Sequence, residues 1–220
     1  MHASSPILRL RARGPLACFT RPELKVERVS YPVITPSAAR GAIEAVLWKP
    51  AIAWCIHRIH VLSEIRFTSF RRNEVNSRAE RPSLAAIANG GSLTPFFADE
   101  DRAQRNTVAL RDVDYVIEAT FRMTERAGSS DNVQKFVETF ERRLKKGQHF
   151  HQPYLGCREF PAELLPAEAA PAAVDDSRDL GLMLWDIAFG PNGNRAVFFA
   201  ARLEHGVLSV PDSPVGKVGA

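Results

Sequence analysis

The chain of 220 residues is most easily bounded by what it lacks. No apolar run approaches the ~20 residues needed to cross a bilayer; the longest, Ala51 to Ile56, is strand-sized. The opening Met-His-Ala-Ser-Ser-Pro turns basic at Arg9, Arg11 and Arg13 with no hydrophobic signal core behind it, so a cytoplasmic protein without a membrane partner is expected. The three cysteines, Cys18, Cys55 and Cys157, are an odd number, far apart and without a Cys-x-x-Cys pair. That excludes a disulfide scaffold and a cysteine-rich zinc site. There is no Gly-x-Gly-x-x-Gly, and Gly90-Gly91 is not followed by Gly-Lys-Ser/Thr, so the phosphate-cradling loops of nucleotide enzymes are missing. No Gly-x-Ser-x-Gly elbow marks an acyl-transfer triad. His149 and His151 sit two apart but have no further ligand at a useful spacing, and no metal or other cofactor is expected. His57 and His60 read as packed or edge residues of an apolar strand pair, and Asp175-Asp176 as solvated.

Apolar residues make up 45% of the chain and charged residues 25%, which is globular composition, and the length suffices for a sizeable core. The charge is unevenly placed. Residues 1–80 carry 13 Lys+Arg against 6 Asp+Glu, whereas residues 81–220 carry 16 against 19. Arginine outnumbers lysine 23 to 6. Guanidinium binds phosphate bidentately and stacks on bases, which suits nucleic acid, although a GC-rich genome produces the same bias.

Periodicity predicts an α+β protein. Ile7 to Arg13 alternates as a strand with one basic face. Ser37 is placed as the N-cap of a helix whose stripe is Ala39, Ala42, Ile43, Val46 and Leu47, ended by Pro50. Strands are predicted over Ala51 to Ile59 and Val61 to Phe67, then a loose stretch to about Arg105 with a helical hint near Ser83 to Ala88. Thr107 to Leu110 and Tyr115 to Met123 read as two strands with a turn near Asp112 and Asp114. A second helix runs from about Asp131 to Lys146, capped by Ser130, stopped by Gly147, and buried through Val133, Phe136, Val137, Phe140 and Leu144. Pro161 to Asp179 reads as an exposed connection, followed by a hairpin turning at Asn192-Gly193 and a strand within Leu203 to Val210. The simplest assembly is a ferredoxin-like, RNA-recognition-type domain followed by a small antiparallel β-sheet domain. The boundaries are 1–128, 129–210 for the helix and β-rich part, and a frayed tail at 211–220.

Four basic stretches stand out: Arg9/Arg11/Arg13, Arg21 to Arg28, Arg71-Arg72, and Arg142-Arg143-Lys145-Lys146. The first and last read equally well as solvated faces. The middle two interleave with Phe19, Tyr31, Phe67 and Phe70, and cations for backbone with rings for bases is the usual single-strand recipe. Arg21, Lys25, Arg28, Tyr31, Arg71 and Arg72 are therefore the candidate RNA-binding residues.

Several motifs resemble one family. The segment Phe19 to Tyr31 (FTRPELKVERVSY), Thr35 to Gly41 (TPSAARG), Trp48-Lys49-Pro50, Arg71 to Val75 (RRNEV), Phe150 to Phe160 (FHQPYLGCREF) and Leu180 to Phe189 follow, in order, the CRISPR-associated Cas-five family in its subtype I-C (type d) form. The resemblance implies a metal-independent endoribonuclease of antiviral defence. Its members cut CRISPR repeat RNA beside the stem-loop and keep the 5′ handle of the guide as a Cascade subunit, among backbone and large subunits. The cut is attack by a ribose 2′-hydroxyl on the adjacent phosphate, giving a cyclic phosphate. Family members usually carry a tyrosine before Trp-Lys-Pro and a Lys-His pair opening the second helix; here those positions hold Leu47 and Lys135-Phe136. Lys135 is thus the expected transition-state cation. Tyr31, Tyr115, His149 and His151 remain alternatives for the missing proton carrier. A second reading is a subunit that grips the handle without cutting, and a third is general duplex-DNA binding.

Overall fold

One 22-residue strand, β5 (Arg102–Met123), organises the molecule. The computed structural model describes residues 3–24, 26–78, 83–90, 96–191 and 193–213. Ahead of β5 come β1 (Leu8–Ala17), β2 (Arg28–Val29), α1 (Pro36–Val46), β3 (Ile52–Val61), β4 (Phe67–Val75) and α2 (Leu84–Ala88). After it come α3 (Val133–Lys145), β6 (Glu163–Pro166), β7 (Arg178–Ala188), β8 (Arg195–Glu204) and β9 (Val207–Ser209). The sheet order is β6-β1-β5-β3-β9-β8-β7, every neighbour antiparallel. The fold is thus mainly an antiparallel sheet with a few helices.

Two predicted strands fuse to make β5, because Asp112 does not turn the chain. It takes a left-handed φ of 52°, lets Arg66 pair with its carboxylate at 3.3 Å, and the strand resumes. The half before this kink pairs with β4 along its length and with β2 at Thr107 and Val108; the half after it lies between β1 and β3. The strand pair predicted over 51–67 is likewise one strand, β3, followed by a connection to β4, so Arg71 to Val75 is strand rather than loop. β6 forms inside the stretch expected to be an exposed connection, because Glu163 to Pro166 finds the free edge of β1.

Both helix caps shift by two residues. Thr35, not Ser37, accepts from the Ala38 N–H at 3.3 Å, which leaves Pro36 in the first turn, where its missing N–H costs nothing. Asn132, not Ser130, accepts from the Lys135 N–H at 2.9 Å. Gly147, at φ 62°, ends α3 as expected.

The core lies between the helices and one face of the sheet. Trp54 sets its ring 5.2 Å from both Phe121 and Phe140, and Phe121 meets Phe136 edge-on at 6.2 Å. The C-terminal strands continue the same sheet through β9 on β3. The boundary expected after residue 128 falls between β5 and α3, whereas β6 beyond it returns to β1. Pro211 accepts from the Trp185 indole at 3.0 Å, so the start of the expected tail is held. Residues 214–220 and Asn192 of the hairpin turn lie outside the described residues.

Candidate nucleic-acid interface and reaction centre

Two separate places carry the predicted residues. The first comprises the end of α1 and the start of α3, whose apolar side chains enter the same core, although the end of α1 itself meets the last turn of α3, where Arg143 donates to the Val46 carbonyl. Leu47 leaves the helix with an extended backbone, is wholly buried, and its carbonyl accepts from the Trp54 indole at 2.9 Å. Phe136 is 4% exposed and packs on Phe121. Both side chains point into hydrocarbon, as the helical stripes predicted, and neither carries a transferable proton. Lys135, one residue away on the other face of the helix, keeps half its side chain in water. Its amine donates to Asp131 at 2.9 Å, one turn back, and lies 5.8 Å from the Phe136 ring centroid. That hydrogen bond from Lys135, with one from the Gly128 N–H, holds the Asp131 carboxyl below the usual range, which makes it a weak proton acceptor.

None of the four alternative proton carriers is in contact with this amine. Tyr31 and Tyr115 are core residues, and burial pushes both hydroxyls up. Tyr115 packs against Phe19 at 6.2 Å. His149 and His151 follow the far end of α3, separated from Lys135 by about 15 Å of helix.

The second place is the junction of β2, β4 and the loop carrying Cys157 and Glu159. Arg28 reaches Glu74 at 3.4 Å and Glu159 at 3.2 Å; Arg72 reaches Glu74 at 3.2 Å and also bonds Glu159. Arg105, which the sequence did not single out, joins Glu74 at 3.5 Å from the neighbouring strand. Strand pairing explains the meeting: Arg72 stands opposite Arg105 in the β4–β5 register, and β2 runs beside β5 at Thr107. Three guanidiniums thus share two carboxylates, leaving one positive charge. Although partial burial acts the other way, bonds from its own backbone and from Arg72 hold the Glu159 carboxyl below its ordinary value. Beneath this cluster the Cys157 Sγ accepts from Arg28 at 3.4 Å and donates to the Cys18 carbonyl at 3.7 Å; the nearby Cys18 side chain and Arg28 lower the Cys157 thiol, while Cys18 is raised by the same pairing and by burial.

Arg71 and Arg21 behave differently. Arg71 is exposed, with Asn106 3.5 Å from its Nε. Arg21 lies over the Tyr31 ring at 4.5 Å and pairs with Glu23 at 3.6 Å. The Tyr31 ring is 0% exposed, so the expectation that it stacks on a base is corrected: burial against the core and the Arg21 guanidinium cover it. Lys25 lies outside the described residues. The carboxylates that temper this patch, Glu74 and Glu159, were legible only as members of matching motifs. Among the described residues, no group of three or more His, Cys, Asp or Glu is placed to hold a metal ion.

The profile of a CRISPR-associated protein family, Cas5 in its Cas5d form, matches residues 7–211. A protein of Mannheimia succiniciproducens named CRISPR pre-crRNA endoribonuclease Cas5d is 46% identical over 220 residues, covering 93% of this chain and 94% of the relative. One of the same name from Thermus thermophilus is 41% identical over 222 residues, covering 93% and 91%. The crystal structure of a CRISPR-associated protein superposes with a TM-score of 0.69 at 21% identity, over 96% of this chain and 94% of that one, and shares the fold. From its first strand to its last, then, this chain belongs to the CRISPR-associated Cas5 family, in its Cas5d branch.

Proposed function

We propose that the chain binds CRISPR repeat RNA, cleaves it without a metal ion, and retains the 5′ handle as a subunit of a subtype I-C Cascade complex. The observation that carries this reading is likeness along nearly the whole chain to two relatives named pre-crRNA endoribonucleases. The element order β1-α1-β3-β5-α3-β6, with sheet order β6-β1-β5-β3, supports the ferredoxin-like, RNA-recognition-type reading of the first unit. In the reaction, a 2′-hydroxyl attacks the adjacent phosphorus and the 5′-oxygen leaves, giving a cyclic phosphate and a 5′-hydroxyl. Lys135, at the mouth of α3, supplies positive charge to the phosphate oxygens once it exchanges Asp131 for the substrate. Arg21, Lys25, Arg28, Arg71 and Arg72 hold the backbone, with phosphate displacing Glu159 from Arg28 and Arg72.

A second reading is that the subunit grips the handle and cuts slowly or not at all. The hydrocarbon at Leu47 and Phe136 favours it, because removing a general acid or base lowers a rate ~10²–10⁴-fold. Incubating purified protein with a repeat-containing transcript in EDTA separates the two. Cleaved transcript ending in cyclic phosphate supports the enzyme. Intact transcript that shifts on a gel supports the grip alone, and no shift removes both. Unlabelled unrelated duplex in excess tests the general DNA reading, since a handle-binding protein keeps its RNA.

A further inference from the structure

The residues of one basic stretch, which the sequence reads equally well as a solvated face or an RNA contact, have company in the fold. Arg142, Lys145 and Lys146 fall at i, i+3 and i+4 on the last turn of α3, all exposed, and none has an ion-pair partner among the described residues. Arg143 is turned inward, donating to the Val46 carbonyl at 2.9 Å. Glu141 stands one position back, and Glu138 is occupied by Gln134 at 2.8 Å, so the turn is clearly positive. Cations there suit the negative end of the helix. The rings that follow have no such structural role.

Phe150 is 84% exposed, yet its backbone is fixed: its N–H donates to the Ala45 carbonyl at 2.7 Å. Its ring sits 6.3 Å from that of His151, which sits 6.3 Å from Tyr154. A large ring held out in water on an anchored backbone is a platform without a partner. Beside it a cavity of about 340 Å³ opens between Val46, Gln148, His149, Pro153 and Leu164. In the Arg28–Arg72 cluster, by contrast, each arginine already faces a carboxylate.

We propose that this end of α3 is a second contact for single-stranded RNA: Arg142, Lys145 and Lys146 take phosphates, and Phe150, with His151 and Tyr154 behind it, stacks on unpaired bases. The site deepens the RNA-binding reading above and rests on it. Its separation from Lys135, about 15 Å of helix, lets one extended strand touch both. Charge complementarity selects RNA over a protein partner, since three unpaired cations outnumber the single exposed carboxylate of Glu141 in that stretch beside the rings.

The test uses the full chain and a fluorescent transcript of one repeat with its single-stranded flank, titrated at several salt concentrations. Phe150→Ala should weaken binding about tenfold or more while leaving the salt slope unchanged. The triple variant R142A/K145A/K146A should flatten the slope of log K against log salt by about two, at ~0.7 per phosphate lost from a single strand. Ultraviolet crosslinking should attach RNA to the peptide carrying Phe150. If both variants keep wild-type affinity and slope while Arg71→Ala weakens binding, this site is overturned and the RNA-binding reading stands. If wild-type protein does not bind the transcript at all, that reading fails instead, and this site with it. Unchanged RNA binding with loss of association to another Cascade subunit would make the face a protein interface and refute the proposal.

Discussion

At Leu47 and Phe136 the question of catalysis comes down to two side chains without a proton. Both sit in packed hydrocarbon, Phe136 with the proposed Lys135 amine 5.8 Å from its ring, so introducing proton carriers is a direct experiment. The double variant Leu47→Tyr with Phe136→His should raise single-turnover cleavage of a repeat transcript by about 10²-fold or more. An unchanged rate would show that these positions do not limit the reaction. Lys135→Ala should abolish whatever cleavage the chain performs while leaving the gel shift intact, because only the transition state needs its charge. Residue-scale chemistry here was partly legible. The stripe Val133-Phe136-Val137-Phe140-Leu144 already placed Phe136 inside, and the i, i+4 spacing of Asp131 and Lys135 is that of their ion pair. Tyr31 was misread for a general reason: an aromatic among arginines looks the same in sequence whether its ring faces water or core.

Elements bring the loop of residues 150–160 against β1, and one glycine makes that approach possible. Gly156 has a φ of 85°, and a Cβ added there would lie 2.0 Å from the Cys18 carbonyl oxygen. Gly156→Ala should therefore destabilise the protein by about 3 kcal/mol or more in chemical denaturation, combining left-handed strain with a backbone clash. It should also loosen Glu159 from Arg28 and Arg72, visible as faster amide exchange in 155–160. The Thr35 cap offers a milder check. Thr35→Ala removes the acceptor for the Ala38 N–H and should cost about 1 kcal/mol. Helices were readable because each has a 3.6-residue stripe and a stop signal. The β5 strand was not, since Asp112 and Asp114 are ordinary turn residues. Only Arg66 on the β4 side and the pairing of both halves show the chain continuing through the kink as one strand.

Across the whole molecule, acid should act through carboxylates whose folded values are depressed. Asp131, Glu159 and Glu163 are held down by hydrogen bonds from Lys135, Arg72 and Arg13 respectively, Glu159 against the pull of its partial burial. In the unfolded chain such groups titrate near 4. There the unfolded state binds more protons, so their stabilisation is complete above that range and is lost as pH falls through the lower folded values. Glu44, raised by burial, runs in the opposite sense. Thermal unfolding measured from pH 6 to pH 3 should show a falling Tm, and Glu44→Gln should steepen the fall. The amino-acid sequence by itself determined the family, the α+β class, both long helices and the buried state of Leu47 and Phe136, because these rest on local periodicity and on motifs read in order. Which arginines are free and which are already paired was decided by tertiary structure alone. Glu74 and Glu159 meet Arg28, Arg72 and Arg105 only through strand register and a loop returning from more than eighty residues away. Electrostatic pairing depends on distance in space, and local pattern does not encode it.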